Sequence, residues 1–212
     1  MVRNLIVILG DQLSFEISSL EKISKSEDKI LMMEVSNEIE YANHQKNFSL
    51  KTQNNMGFMV KKLVLIFSAM RHFASELKKN KFDVTYIEFD KSEISFTKEL
   101  ENQCRKFNPK TIKITHPSEY RVLEEIKKWE KLLDIPVTIL EDTRFFCKIA
   151  EFSDWAKSRK ELKMENFYQK MRKKYKILID DKGKPIGGKW NYDVKNRKRL
   201  PKNHPEIPSP LI

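Results

Sequence analysis

The chain has 212 residues, with 40% hydrophobic and 33% charged positions, and 41 Lys and Arg set against 30 Asp and Glu give a formal charge of +11. That is enough for one domain with an extension, and a composition that supports a buried core excludes a low-complexity chain. No apolar run approaches the roughly 18 residues of a spanning helix and no signal-peptide pattern precedes the first apolar run, so the expected setting is cytoplasmic, without a membrane partner.

Leu5 to Leu9 is a short, β-branched apolar run that Gly10-Asp11 breaks, and it predicts the first strand. Ile30 to Val35, Leu63 to Phe67, Val84 to Phe89, Thr111 to Thr115 and Val137 to Leu140 predict further strands. Between most of them run helical stripes: Met70, Phe73, Ala74 and Leu77; Phe96, Leu100, Cys104 and Phe107; Val122, Ile126, Trp129 and Leu133. Strands alternating with helices of about three turns predict an α/β fold of βαβ units, with a mostly parallel sheet of five or six strands between helical layers. The polar stretch at 45–60 reads as an inserted loop.

After Leu140 the rhythm changes. Phe145, Phe146, Phe152 and Trp155 give an aromatic-rich stretch, and Lys157 to Tyr175 reads as a basic helix. From Lys157 to Lys176 there are nine Lys or Arg and two Glu. The predicted organisation is an α/β domain over 1–143, a basic helical and irregular extension over 144–200, and the start of a proline-rich linker over 201–212.

In open parallel sheets, ligands bind beyond the carboxyl ends of the strands. The groups placed there are Gly10, Asp11, Gln12, Leu13 and Ser14 after the first strand, Glu34 after the second, Ser68, Arg71 and His72 after the third, and His116 to Arg121 after the fifth. Two carboxylates and an amide suit a ligand with several donors and acceptors better than a phosphate, and no GxGxxG or P-loop is present. The alternatives are ordinary: Asp11 and Ser14 as turn or cap residues, and His72 as a structural histidine. Ser68 reads as an N-cap. Arg71 in a first helical turn opposes the helix dipole, which points to an acidic partner or an anion. The four histidines do not fall at metal-ligand spacing, Cys104 and Cys147 are too few for a disulfide framework or a four-thiolate cluster, and no nucleophile–base arrangement is visible, so neither metal nor catalytic residues are assigned.

The basic segment carries Lys163, Lys170, Arg172, Lys173 and Lys174, followed by Lys189, Trp190, Asn191 and Arg197. Three readings fit such a stripe: contact with nucleic-acid phosphates, packing against another domain, or a solvated face.

The stretches LIVILGDQLS, KLVLIFSAMRHFA, ITHPSEYRV, MENFYQKMRKKYKILID and GKPIGGKWNYDVKNRKRLP, in this order and spacing, resemble the prokaryotic photolyase-related family, with its iron–sulfur bacterial photolyases and cryptochromes. The resemblance covers nearly all of the chain outside 47–60. It implies a Rossmann-like antenna domain, followed in family members by a helical domain that holds FAD and a 4Fe–4S cluster and carries out light-driven repair of pyrimidine photoproducts. It also implies 6,7-dimethyl-8-ribityllumazine as an antenna chromophore near the strand ends. The antenna-side motifs fall on Gly10, Asp11, Gln12, Leu13 and Glu34, with Gln12 and Glu34 against the heterocycle or ribityl chain; Ser68, Arg71 and His72 match a further motif. The insertion near the pocket is a departure from the family pattern. The implied partner is the helical FAD domain, in cis or as a separate chain, with DNA a further partner for the basic extension. The 212 residues alone are expected to be inactive in repair, and a free-standing small-molecule-binding or DNA-binding accessory domain is the alternative.

Overall fold

A strand covered on both faces needs apolar side chains at every position, and a strand at an edge does not. That difference orders the sheet. The computed structural model describes residues 2–35, 54–89 and 95–193, together with 203, 205, 206 and 209. Strands β1 (Asn4–Ile8) and β2 (Lys29–Met33) are buried along almost their whole length, whereas β3 (Val84–Ile87) and β5 (Val137–Leu140) are only partly buried. With β4 (Thr111–Thr115) they form one all-parallel five-stranded sheet in the order β3-β2-β1-β4-β5.

Side chains of each strand alternate between two helical layers. Leu5, Val7, Leu31, Met33, Ile112 and Ile114 pack with Phe96, Leu100 and Cys104 of α2 (Phe96–Phe107) and with Ile126 and Trp129 of α3 (Tyr120–Leu133). Ile6, Ile8, Ile30 and Met32 face Met70, Phe73, Ala74 and Leu77 of α1 (Asn54–Lys79), with Ile17 and Leu20 beside a short turn of 3-10 helix at Ser18–Leu20. Asn108 and Asp134 end α2 and α3 in the left-handed conformation, which asparagine and aspartate tolerate better than most residues. The result is the α/β, Rossmann-like three-layer arrangement expected from the sequence.

One expected strand is corrected. Leu63 to Phe67 is not a strand: it lies inside the 26-residue helix α1, which also takes in Asn54–Val60 of the supposed loop. A run of consecutive apolar residues fits a buried strand or a helix equally, and length decides. Here Ile66, Met70, Phe73, Ala74 and Leu77 continue one helical stripe onto the sheet, while Val64 and Leu65 stay exposed on the other side. Residues 45–53 of the expected insertion, Arg197 and most of the proline-rich tail lie outside the described residues.

The chain divides into two compact units, 1–145 and 146–212. In the second, the basic helix expected over Lys157 to Tyr175 is confined to α5 (Met164–Tyr175), and a separate helix, α4 (Ile149–Lys157), precedes it. Phe152, Trp155 and Phe167 join them through ring contacts with centroids 5.0–5.6 Å apart. Among the described residues, no helix is long and apolar enough to cross a membrane.

Trp129 is fully buried, meets Phe96 edge to face with centroids 5.0 Å apart, and donates from Nε1 to Thr97 Oγ1 at 2.9 Å. Truncating a buried tryptophan leaves a cavity and removes the hydrogen bond to Thr97, so Trp129→Ala is expected to cost about 3–5 kcal/mol. The check is a urea unfolding curve, whose midpoint drops sharply if Trp129 pins α2 to α3.

Candidate functional site

The strands of a parallel sheet all leave it at one edge, and between β1 and its two neighbours the connections diverge to opposite faces, opening a crevice. Here that crevice is an apolar cleft. Ile8, Leu9 and Gly10 line it from the end of β1, Met33 and Val35 from the end of β2, and Ile66 and Met70 from α1. The N-terminal halves of α2 and α3 supply Phe96, Arg121, Val122 and Glu125. A Cβ placed on Gly10 would stand 3.1 Å from Met70 Sδ and 3.2 Å from Ile66 Cγ2, so glycine lets α1 close the cleft from one side. Glu125 is held by Thr97, whose N–H and Oγ1 donate to its Oε1 at 3.2 and 2.6 Å, and Thr97 Oγ1 in turn accepts from Trp129. The cleft therefore offers greasy walls, with a positive and a negative group one helical turn apart.

Of the residues placed in this region from the sequence, Gly10 and Arg121 line the cleft, whereas Asp11, Gln12, Leu13, Glu34, Ser68, Arg71 and His72 do not. Gln12 is fully buried and works as a tie between loops. Its Nε2 donates to the carbonyls of Thr115 and His116 at 2.9 and 3.3 Å, and its Oε1 accepts from Leu9 N at 3.4 Å. Thr115 Oγ1 extends the tie by accepting from Ser19 N at 3.1 Å and donating to Ser19 Oγ at 3.0 Å. Leu13 packs against the α1 side of the core, and Asp11 is exposed, with its carbonyl accepting from Arg144 Nη1 at 2.8 Å. Arg144 is also clamped by Asp142 at 2.9 and 2.7 Å, which draws that carboxyl below its ordinary value. Sequence reasoning did not single out Arg144.

Glu34 is a tightly constrained charge. Its side chain is fully enclosed and accepts from Arg71 Nε and Nη2 at 2.7 and 2.9 Å, from Tyr86 Oη at 2.5 Å and from Phe89 N at 2.8 Å. Burial pushes its pKa up, but the donors from Arg71, Tyr86 and Phe89 outweigh burial and leave it below the usual carboxylate range. Burial and the same carboxylate push the Tyr86 phenol well above its ordinary value. The acidic partner that Arg71 called for is thus Glu34. Ser68 is not an N-cap: it lies exposed in the interior of α1, as does His72.

The cleft residues missed from the sequence had a signal. Met70, Phe96 and Val122 each belong to a recognised core stripe and fall near the carboxyl edge, where a core stripe becomes a cleft wall.

In the second unit, several cations assigned to external partners are used internally. Arg172 is buried and donates to the carbonyls of Ile177 and Leu178 at 3.1 and 2.6 Å, closing the chain that follows α5. Lys174 pairs with Glu151 at 2.5 Å, and Lys163 with Glu161 at 2.9 Å. Trp190 lies 5.2 Å from both Arg172 Cζ and Lys173 Nζ, Asn191 donates to Glu165 at 3.4 Å, and Lys189 is exposed. Lys170 and Lys173 line an open polar cleft with Arg159, Asn166 and Gln169.

Because Glu34 titrates below its ordinary value when folded, its stabilisation is complete above the unfolded value near 4.5 and is lost as pH falls through the folded one. Glu34→Gln is expected to cost about 1–3 kcal/mol at pH 7 by removing the buried counter-charge of Arg71, which keeps only the longer 3.7 Å contact to Glu88. The variant should also lose less further stability than the wild type between about pH 5 and pH 3. Urea midpoints of both proteins across that range provide the measurement.

The profile of the deoxyribodipyrimidine photo-lyase-related protein family matches residues 6–212. A (6-4) photolyase of Agrobacterium fabrum (strain C58) is 39% identical over 195 residues, which cover 91% of this chain and 36% of that protein. The chain thus spans about a third of the length of that relative. An uncharacterized protein of Acanthamoeba polyphaga mimivirus is 28% identical over 204 residues, covering 94% of this chain and 96% of its own length. The chain belongs to the deoxyribodipyrimidine photo-lyase-related protein family.

Proposed function

We propose that this chain acts as the antenna and scaffold domain of a photolyase-like flavoprotein that repairs pyrimidine photoproducts in DNA by light-driven electron transfer, and that it is not catalytic alone. The observation that carries this reading is the apolar cleft at the carboxyl edge of the sheet. Flat heterocycles bind between greasy walls with a few polar groups to orient them. Ile8, Met33, Val35, Phe96 and Val122 meet the first need, and Arg121 and Glu125 the second. A lumazine such as 6,7-dimethyl-8-ribityllumazine fits this donor and wall set. When bound it would absorb light and pass the excitation on. The residues of the cleft would hold its ring, keep water from it and orient its polar edge. In this reading Gln12 and Glu34 shape the cleft from behind, by fixing the loop after β1 and the end of β2.

The FAD and 4Fe–4S cluster of such a flavoprotein are not assigned to this chain: among its described residues, no group of three or more His, Cys, Asp or Glu could hold a metal ion. A four-thiolate cluster needs four cysteines, and Cys104 and Cys147 lie in different units. Burial pushes the Cys104 thiol up to about 11, away from the thiolate form that ligates iron. Both groups are assigned to a helical partner, in cis or as a separate polypeptide, in the cytoplasm where the DNA substrate is.

A second reading is favoured by the mimivirus relative, which matches over nearly its whole length: a free-standing small-molecule-binding domain built on the same cleft.

The test has two arms. The purified chain, incubated with 6,7-dimethyl-8-ribityllumazine and separated from free ligand, is expected to keep the lumazine absorption band, and Val122→Trp, which fills the cleft, is expected to lose it. Coexpression with the helical region of a family member should then yield a complex that retains flavin. A colourless chain in the first arm overturns the antenna role; retained lumazine with no flavin-binding complex transfers the site to the free-standing reading.

A further inference from the structure

The charge of this protein is divided very unevenly. Residues 146–212 hold 18 Lys and Arg against 8 Asp and Glu, a balance of +10, whereas residues 1–145 hold 23 against 22, a balance of +1. Within the basic unit, internal pairing removes some of the cations from outside contact: Arg172 closes the turn after α5, and Lys174 sits on Glu151. What remains gathered around one open cleft is Arg159, Asn166, Gln169, Lys170 and Lys173.

The arrangement is specific in three ways. Asn166, Gln169, Lys170 and Lys173 follow the three- and four-residue spacing of one face of α5, so cations and amides form a row about 10 Å long. Arg159 Cζ lies 4.6 Å from the Trp155 ring, and Trp155 is buried in the aromatic contact between α4 and α5, so the guanidinium is held before any ligand arrives. Lys170 keeps a loose ion pair to Glu151 at 3.6 Å, a carboxylate that Lys174 engages at shorter range.

We infer that this row is a binding site for the phosphate backbone of DNA, independent of any lesion. Protein–protein interfaces are depleted in lysine and built around an apolar centre, and this cleft has neither property. It is too open to enclose a small molecule. Phosphodiester oxygens accept from lysine, arginine and side-chain amides alike, and a row of about 10 Å spans about three steps of a strand at 3.4 Å each. Such contacts set position and register without reading sequence. The site would hold DNA on the second unit, through residues that take no part in the repair chemistry. It does not rest on the antenna reading, since it shares no residue with the sheet-edge cleft.

The test is fluorescence anisotropy of the full chain with a labelled undamaged duplex and its UV-irradiated counterpart, across a salt series. Wild type is expected to bind both equally and with a steep salt dependence. Arg159→Gln with Lys170→Gln and Lys173→Gln should weaken binding at low salt by at least about tenfold and lower the slope of log affinity against log salt by about 2 to 3, near 0.9 per lost phosphate contact. Lys170→Gln with Lys173→Gln alone, which spares the Trp155 contact, should lower the slope by about 2, and Lys170→Arg with Lys173→Arg should keep it. A control with the same loss of charge, Lys22→Gln with Lys128→Gln and Lys131→Gln on the first unit, should leave the slope near wild type. Equal losses in the cleft variants and the control would overturn the site in favour of diffuse charge. Preference for the irradiated duplex would overturn lesion independence, and equally tight, cleft-dependent binding of polyglutamate would give the face to an acidic protein. Lumazine retention is read separately, so either proposal fails without the other.

Discussion

Five parallel strands buried between helices create a polar problem at one place. Every strand ends at the same edge, and each leaves backbone groups there that the sheet no longer pairs. Unpaired buried polar groups cost more than ordinary hydrogen bonds return. This protein meets the cost with side chains that tie one strand end to another. Gln12 joins the loop after β1 to the end of β4, Thr115 joins β4 to the turn at Ser18–Leu20, and Glu34 gathers Arg71, Tyr86 and Phe89 around the end of β2. Arg144 does the same between Asp142 and the loop at Asp11. These ties fix the loops that surround the apolar cleft.

That constraint explains why the site was only partly legible in the sequence. Placing Gly10, Gln12 and Glu34 at the carboxyl edge needed only strand positions, and the structure puts them there. Whether a polar residue at a strand end faces a ligand or a neighbouring loop depends on partners far along the chain. Gln12 meets Thr115 and His116, and Glu34 meets Arg71 and Tyr86, at separations no local pattern encodes. The cleft walls were hidden for the opposite reason. Met70, Phe96 and Val122 look like core because they continue core stripes, and only the geometry of the edge distinguishes the last stripe position from the rest.

The fold itself was easier to read, with one instructive exception. The strands Thr111–Thr115 and Val137–Leu140 and the stripes of α2 and α3 follow from local pattern, because short strands alternating with three-turn helices leave little freedom. Leu63 to Phe67 misled because β-branched, consecutive apolar residues favour a strand locally. The helix forms instead because it places Ile66, Met70, Phe73 and Leu77 together on one face of the sheet, which outweighs leaving Val64 and Leu65 in water. Recognising that helix also resolves Arg71. It stands well inside α1, where the helix dipole is no objection, and its charge answers Glu34.

The same logic separates structural from available cations in the second unit. A basic stripe reads as a uniform feature in sequence, but its members compete for different partners once α4 and α5 pack through Phe152, Trp155 and Phe167. Arg172 points back to the chain it must close, donating to the carbonyls of Ile177 and Leu178 just beyond the helix, and Lys174 answers the carboxylate of Glu151 across the helix pair. Arg159, Lys170 and Lys173 are left on the open side by that packing. The aromatic contact that builds the unit therefore also sorts its charge, and loosening it would scatter the cations that the cleft collects.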